Sequence, residues 1–146
     1  MAALTAARGD RRVIILERQQ RVGRKLLATG NGRCNLTNTG AAPENYHGEL
    51  PGFAVPALAA FTPQDTLDFF HSLGLITVTE HGGRVYPLSN SANSVVDVLR
   101  FAADAAGVTT RAGFEVTGLK KTKRGFTVLS AEEILPADRV IVCCGG

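Results

Sequence analysis

An uninterrupted apolar segment near the start of the chain places the strongest constraint on the fold. Residues 13–16 read Val-Ile-Ile-Leu and are followed by Glu17. A strand with one face in water alternates apolar and polar residues, but this run has no polar position and needs cover on both faces. Parallel sheets between helices provide such cover, so the segment predicts an α/β fold with a parallel sheet.

Three segments carry helix signals. Residues 63–73 follow a capping residue, Thr62, and residues 94–106 have apolar positions at helical spacing that end at Gly107. An Ala-rich stretch over residues 1–8 is also typical of a helix. We therefore expect helices at these three places.

Short strands are predicted for most of the remaining chain. Residues 75–79 and 84–88 flank Gly82 and Gly83, a pair that provides the positive φ angles of a hairpin turn. Further strands are predicted at residues 109–111, 115–120, 126–130 and 139–143. After Arg139 the last is again continuously apolar and predicts a closing parallel strand.

Charge and cysteine content favour a cytoplasmic protein that binds neither nucleic acid nor membrane. The 16 Lys and Arg against 13 Asp and Glu are scattered, and the one dense group, residues 120–124, is typical of a solvated hairpin end. The three cysteines Cys34, Cys143 and Cys144 have no disulfide-framework spacing. No charged leader is evident, and no apolar run reaches the roughly 18 residues that a membrane span needs.

Glu17 is a candidate ligand for a nucleotide. In dinucleotide-binding α/β units, an acid at the end of the second strand accepts hydrogen bonds from ribose hydroxyls, about 20 residues beyond a Gly-rich turn. Glu17 follows a strand of that kind, although a solvated glutamate fits the sequence equally well. Counting back places the turn before Met1.

The next segment, residues 23–38, has the composition of a phosphate-binding loop or of an ordinary flexible loop. Its glycines permit close backbone approach and left-handed conformations, and its cations can neutralise anionic oxygens. These residues are Gly23, Gly30 and Gly32, with Arg24, Lys25 and Arg33.

The order of several motifs resembles the HI0933-like flavoproteins, FAD-dependent oxidoreductases with two dinucleotide-binding domains. The resemblance includes Glu17, Gly-Arg-Lys at 23–25 and Gly-Asn-Gly-Arg-Cys-Asn-Leu-Thr-Asn at 30–38. It continues with Gly-Arg-Val-Tyr-Pro at 83–87 and with residues 140–146, where two cysteines replace small residues of the family's Ala-Thr-Gly-Gly pattern.

The resemblance implies an α/β chain that forms an incomplete Rossmann-like FAD-binding domain with antiparallel β hairpins, in which the first strand and Gly-rich turn are absent. Its expected parts are a cofactor segment at 1–40, a loop, helix and hairpin insertion at 41–93, and a helix, β-meander and closing parallel strand at 94–146.

The resemblance also implies a set of FAD-binding residues. Glu17 would bind the adenosine ribose, residues 23–38 would follow the pyrophosphate, ribityl chain and flavin, Val116 would offer backbone atoms to adenine, and Gly145 would lie beside the pyrophosphate. The set is Glu17, Gly23, Arg24, Lys25, Thr29, Gly30, Asn31, Gly32, Arg33, Cys34, Asn35, Val116 and Gly145. Cys34 is expected to pack or line the flavin, with a redox role as the alternative. No catalytic residue or metal ligand is assigned.

The function implied is that of a fragment of an FAD-dependent oxidoreductase, reduced by NAD(P)H and acting on an unidentified substrate. Without the Gly-rich turn we expect weak FAD binding and no catalysis by this chain alone. The absent strand would expose two sheet edges, which favours self-association or strand pairing and suggests a truncated gene product or a mis-assigned start. The alternative is an inactive remnant that acts as a binding or assembly module; a methyltransferase-like nucleotide binder would leave residues 23–38 unexplained.

Overall fold

A computed structural model describes residues 1–144 of the chain and shows a mixed α/β fold with parallel and antiparallel sheets. One unit contains residues 1–22 and the chain from residue 102 onward; the other contains residues 23–101. In chain order the elements are α1 (Ala2–Ala7), β1 (Ile14–Glu17), α2 (Arg24–Ala28), β2 (Thr37–Asn38), α3 (Val55–Ala60), α4 (Pro63–Ser72), β3 (Thr77–Thr79), β4 (Arg84–Pro87), α5 (Ala92–Ala105), β5 (Thr109–Ala112), β6 (Gly118–Thr122), β7 (Gly125–Leu129) and β8 (Ile134–Ala137).

The parallel pair of the first unit confirms the interpretation of the first apolar segment. β1 pairs with β5 in parallel, from Ile14 opposite Thr109 to Glu17 opposite Ala112. The expectation that β1 is buried on both faces is wrong, because Ile14 is 42% exposed and the other three residues are half-buried. Within residues 1–144 this sheet has two strands, too few to bury an apolar run completely.

An antiparallel meander, β6–β7–β8, completes the sheets of the first unit. The basic residues 120–124 lie exposed where β6 turns into β7, as the sequence predicted. β8 was not among the predicted strands, and it contains Pro136, which cannot donate to a ladder hydrogen bond. Proline is tolerated there because β8 lies at the edge of this sheet.

The closing parallel strand predicted at residues 139–143 is wrong. This segment forms no strand, and Ile141 and Val142 are 65% and 70% exposed. An apolar run becomes a strand only where a neighbouring strand accepts and donates its backbone hydrogen bonds, and none of the described strands pairs with this segment.

The second unit contains the sheet β2–β4–β3 and the helices α2, α3 and α4. The predicted hairpin is confirmed: β3 and β4 are antiparallel, and Gly82 and Gly83 between them both have φ near +76°. α4 and α5 also confirm the predicted helices within a residue or two at each end, and Gly107 ends the second of them with φ of +70°.

The core of the second unit collects residues from distant parts of the sequence. Its buried members are Cys34, Phe70, Leu75, Ala92 and Val95. Phe70 comes from α4 and Val95 from α5, so this core fixes the helices around the segment that the sequence marked for cofactor binding. Across residues 1–144, no helix has both the length and the apolar character that crossing a membrane requires.

The start of α4 gives an acid-sensitive contribution to stability. Asp65 N–H donates to Thr62 Oγ1 at 3.1 Å, and the Asp65 carboxylate accepts from Thr62 N–H at 2.7 Å. The Thr62 hydrogen bonds lower the pKa of Asp65 below its ordinary 3.8. Because the folded-state pKa is the lower one, this stabilisation is present above the ordinary pKa and is lost as the pH falls through the lowered value.

We therefore expect Asp65→Asn to destabilise the chain at neutral pH, and we expect the difference from the parent chain to shrink between about pH 5 and pH 2. Urea unfolding across this range measures the effect. Asp104→Asn, at an exposed position of α5, is the matched control. An Asp65→Asn difference that stays constant with pH would contradict the capping contribution.

Candidate functional site

Glu17 ends the parallel strand β1 with one carboxylate oxygen in use. Gln19 N–H donates to Glu17 Oε1 at 2.8 Å, and Phe114 N–H donates to the Glu17 carbonyl at 2.9 Å. The second carboxylate oxygen has no hydrogen bond within residues 1–144. A half-buried carboxylate with an unused oxygen at the carboxyl end of a parallel strand suits a ribose hydroxyl.

Val116 lies in the irregular segment between β5 and β6 and is 45% exposed. Its backbone N–H and carbonyl make no hydrogen bond to any described residue, whereas Thr117 N–H next to it donates to the Leu129 carbonyl at 2.8 Å. Unpaired main-chain groups of this kind can bind the edge of a purine. This geometry is compatible with the expected adenine contact.

Gly23 caps α2 and makes a close approach to α5. Its φ is +76°, and a Cβ atom at this position would lie 2.9 Å from Val96 Cγ2. Glycine is therefore required both by conformation and by space. It holds the exposed Arg24 and Lys25 at the start of α2.

Residues 29–34 form a tight loop with an unusual run of left-handed conformations. Gly30, Asn31, Gly32 and Cys34 have φ values of +55°, +55°, +82° and +60°. The loop closes on itself, because Arg33 N–H donates to the Gly30 carbonyl and Cys34 N–H donates to the Thr29 carbonyl, each at 3.1 Å. Residues 29–32 and Asn35 are exposed, so the loop presents its backbone to solvent.

The loop is attached to the β3–β4 hairpin. Leu36 N–H donates to the Val85 carbonyl at 2.8 Å, and a Cβ atom on Gly30 would lie 3.2 Å from the ring of Tyr86. Tyr86 is buried, with 7% of its surface exposed. The motif at residues 83–87 thus packs against the segment that contains the loop at 29–34.

Arg33 makes the most extensive side-chain contacts of the loop. Its guanidinium lies 3.9 Å from the centroid of the Tyr86 ring, its Nε–H donates to Asn90 Oδ1, and its Nη2–H donates to Glu80 Oε1. We call Arg33, Glu80, Tyr86 and Asn90 the Arg33 cluster. Sequence reasoning missed Glu80 and Asn90, since only the hairpin fold brings residues so far apart in sequence to Arg33.

Cys34 belongs to the core rather than to an exposed redox centre. It is 2% exposed, and burial raises the pKa of its thiol, with a smaller opposing contribution from a hydrogen bond to Thr29. A raised pKa disfavours the thiolate, which is the reactive form. These observations favour the packing interpretation of Cys34.

Thiol accessibility tests this assignment. Because Cys143 and Cys144 are exposed and Cys34 is buried, we expect Ellman's reagent to label two thiols rapidly in the folded chain and the third only in denaturant. In Cys34→Ser the thiol that is labelled only in denaturant should be absent, and the two rapidly labelled thiols should remain. Rapid labelling of all three thiols in the folded chain would show that Cys34 is accessible.

The predicted site residues are distributed over both units. Glu17 and Val116 lie in the first unit, residues 23–35 lie in the second, and Gly145 lies outside the described residues. Within the second unit, the loop and the Arg33 cluster form one contiguous group through the contacts given above.

Comparison with known proteins identifies relatives over the whole chain. The family model for the HI0933-like protein Rossmann domain matches residues 1–146. The chain is 46% identical to a 3-dehydro-bile acid delta(4,6)-reductase of Clostridium scindens, over 100% of this chain and 36% of the relative. It is 31% identical to the ribosomal RNA dihydrouridine synthase of Escherichia coli, over 97% of this chain and 35% of the relative. The chain therefore spans about a third of the length of these relatives.

A solved structure supports the fold. The crystal structure of Thermovibrio ammonificans THI4 aligns with a TM-score of 0.55 at 16% identity, over 87% of this chain and 40% of that one. At this level of identity the likeness concerns the fold alone.

Proposed function

The chain belongs to the HI0933-like family, and on this premise we propose that it provides part of the FAD-binding domain of a flavin-dependent oxidoreductase. The observation that carries the proposal is Glu17, which ends a parallel strand with an unused carboxylate oxygen. That is the position and chemistry by which such domains hold the adenosine ribose.

The other residues of the proposed site fit the same cofactor. Residues 29–32 and Asn35 are exposed and can present left-handed backbone to the flavin side, and the cations at 24 and 25 can neutralise phosphate oxygens. FAD supplies the electron transfer, while the protein binds, orients and shields it. We propose Gly23, Thr29, Asn31, Gly32 and Asn35 as further members, with Cys34 packed behind them.

We further propose that the reaction is a reduction driven by NAD(P)H. One relative is named as a reductase of a bile acid derivative and another as a synthase of dihydrouridine in ribosomal RNA, so the family accepts dissimilar substrates. Because the two names give different substrates, they do not identify the organic substrate of this chain.

A second candidate, an assembly module, is supported by the exposed apolar segment at 139–143. Ile141 and Val142 are largely exposed, and Ile14 at the start of β1 is 42% exposed. Apolar residues and unpaired strand backbone favour pairing with another chain. On this reading the chain would bind a partner and would not need FAD.

Replacement of Glu17 distinguishes the two candidates. Glu17→Gln keeps an oxygen for Gln19 N–H but loses the charge that strengthens the ribose hydrogen bond, so we expect FAD affinity to fall by about 10-fold to 100-fold. Titration of FAD followed by flavin fluorescence measures this. Glu132→Gln, at an exposed turn of the same unit, is the control and should bind like the parent chain.

Equal affinity in Glu17→Gln and the parent chain would show that the ribose assignment is wrong. An absence of FAD binding by the parent chain would favour the assembly module instead.

A further inference from the structure

The Arg33 cluster has binding capacity that the internal contacts do not use. A guanidinium carries five N–H donors, and two of those on Arg33 bond to Asn90 and Glu80. The remaining donors have no partner within residues 1–144, and 30% of the side-chain surface is exposed. We propose that Arg33 is an oxyanion-binding residue that receives a carboxylate or phosphate group of the substrate.

The charge of the cluster supports an anionic ligand. The carboxylate of Glu80 is the acid of the cluster, and it interacts with the guanidinium groups of both Arg33 and Arg84, which together hold its pKa below the ordinary value. One carboxylate neutralises one of two positive charges. The Arg33 cluster itself is neutral, and the positive charge of Arg84 beside it is the one that a bound oxyanion can neutralise.

The contacts also fix the guanidinium before any ligand arrives. Its central carbon lies over the ring of Tyr86, which is buried, and two of its nitrogens donate hydrogen bonds. A planar group held in this way loses little further freedom on binding an anion. Arg100 provides a contrast, because it makes a single 3.3 Å contact with Asp97 and both side chains are about half exposed.

This inference rests on the proposed function, because it assigns the oxyanion to the molecule that the flavin would reduce. We assign the oxyanion bound by Arg33 to the substrate and not to the phosphates of FAD, because the cations at 24 and 25 can bind those phosphates. Two compounds serve as probes, sodium acetate for a carboxylate and sodium phosphate for a phosphate.

The test follows the Nε–Hε signals of the arginines by ¹⁵N NMR during addition of each probe at constant ionic strength, with sodium chloride as the reference. Arg33→Lys and Arg100→Lys identify the two signals. We expect a saturable shift of the Arg33 signal, roughly threefold or more larger than that of Arg100, because of these two arginines Arg33 is held by an aromatic ring and two hydrogen-bond partners and Arg100 is not. Shifts of equal size at both arginines would overturn the proposal.

Two charge variants provide a second test that does not remove Arg33. Glu80→Gln keeps a hydrogen-bond acceptor but removes the neutralising charge, so acetate or phosphate should bind roughly fivefold more tightly. Arg84→Gln should weaken binding by a similar factor. Affinities that do not respond to either change would contradict a charge-based site even if one variant folds poorly.

The FAD dependence separates this inference from the proposed function. The probe titrations are made without FAD, so they succeed or fail independently of cofactor binding. If FAD binds, a retained acetate or phosphate shift supports a substrate site, whereas its loss at saturating FAD would assign Arg33 to the cofactor and overturn the inference.

Discussion

Replacing Phe70 by Ala should lower the free energy of unfolding by about 3–5 kcal/mol. Phe70 is 5% exposed and lies in the core of the second unit with Leu75 and Val95. Its ring also meets that of Phe69 edge to face, with the centroids 5.3 Å apart. The smaller side chain would lose these contacts and leave a cavity in the core cluster that also contains Cys34.

Urea unfolding of Phe70→Ala measures this loss, and Phe53→Ala is the matched control. Phe53 is 85% exposed, so its replacement should change the free energy of unfolding by less than about 0.5 kcal/mol. Similar losses in the two variants would show that Phe70 is not a core residue.

Replacing Gly30 by Val should destabilise the second unit by at least about 2 kcal/mol and distort the proposed flavin-side loop. The φ of Gly30 is +55°, a conformation that a β-branched residue adopts only with strain. In addition, its Cβ would lie 3.0 Å from the Asn35 backbone nitrogen and 3.2 Å from Tyr86 Cε1. Both contacts are with parts of the structure that cannot easily move.

Gly52→Val is the control for this substitution. A Cβ atom on Gly52 would meet nothing within 4 Å, and its φ lies outside the left-handed region. We expect urea unfolding to show little change for Gly52→Val and a clear loss for Gly30→Val. A Gly30→Val chain as stable as the parent would contradict the left-handed loop.

Local signals in the sequence were sufficient for α1, α4, α5 and the hairpin, but the short helices α2 and α3 were not predicted. Thr62 caps α4, the glycine pair at 82 and 83 turns the hairpin, and Gly107 ends α5, as the sequence predicted. Each of these signals acts through its own backbone and near neighbours, so no knowledge of tertiary contacts is needed to interpret them.

The wrong predictions concern features that depend on neighbours. Residues 139–143 and 13–16 have the same apolar pattern, yet only the second segment has a strand partner, β5, in the part of the chain that the structure describes. Hydrophobic pattern alone predicts what a segment can bury, while the partner determines whether it forms a strand.

The candidate site was predictable only in part for the same reason. The sequence indicated residues 23–38 by composition and resemblance, but the attachment of Arg33 to Glu80 and Asn90 depends on the hairpin packing against the loop. The aromatic partner of Arg33 was visible only as a tyrosine in the second motif, at position 86. Arg33, Glu80 and Tyr86 come into contact only in the tertiary structure, which no local sequence pattern predicts.

The central proposal is that FAD contacts Glu17 in the first unit and, separately, the loop at 29–35 in the second, and hydrogen–deuterium exchange of the chain with and without FAD tests it most directly. We expect FAD to slow exchange in peptides that cover residues 14–20 and 23–35, and to leave the basic hairpin end at 120–125 unchanged. Exchange that FAD leaves unchanged in both segments, or slows only at the hairpin end, would contradict the claim.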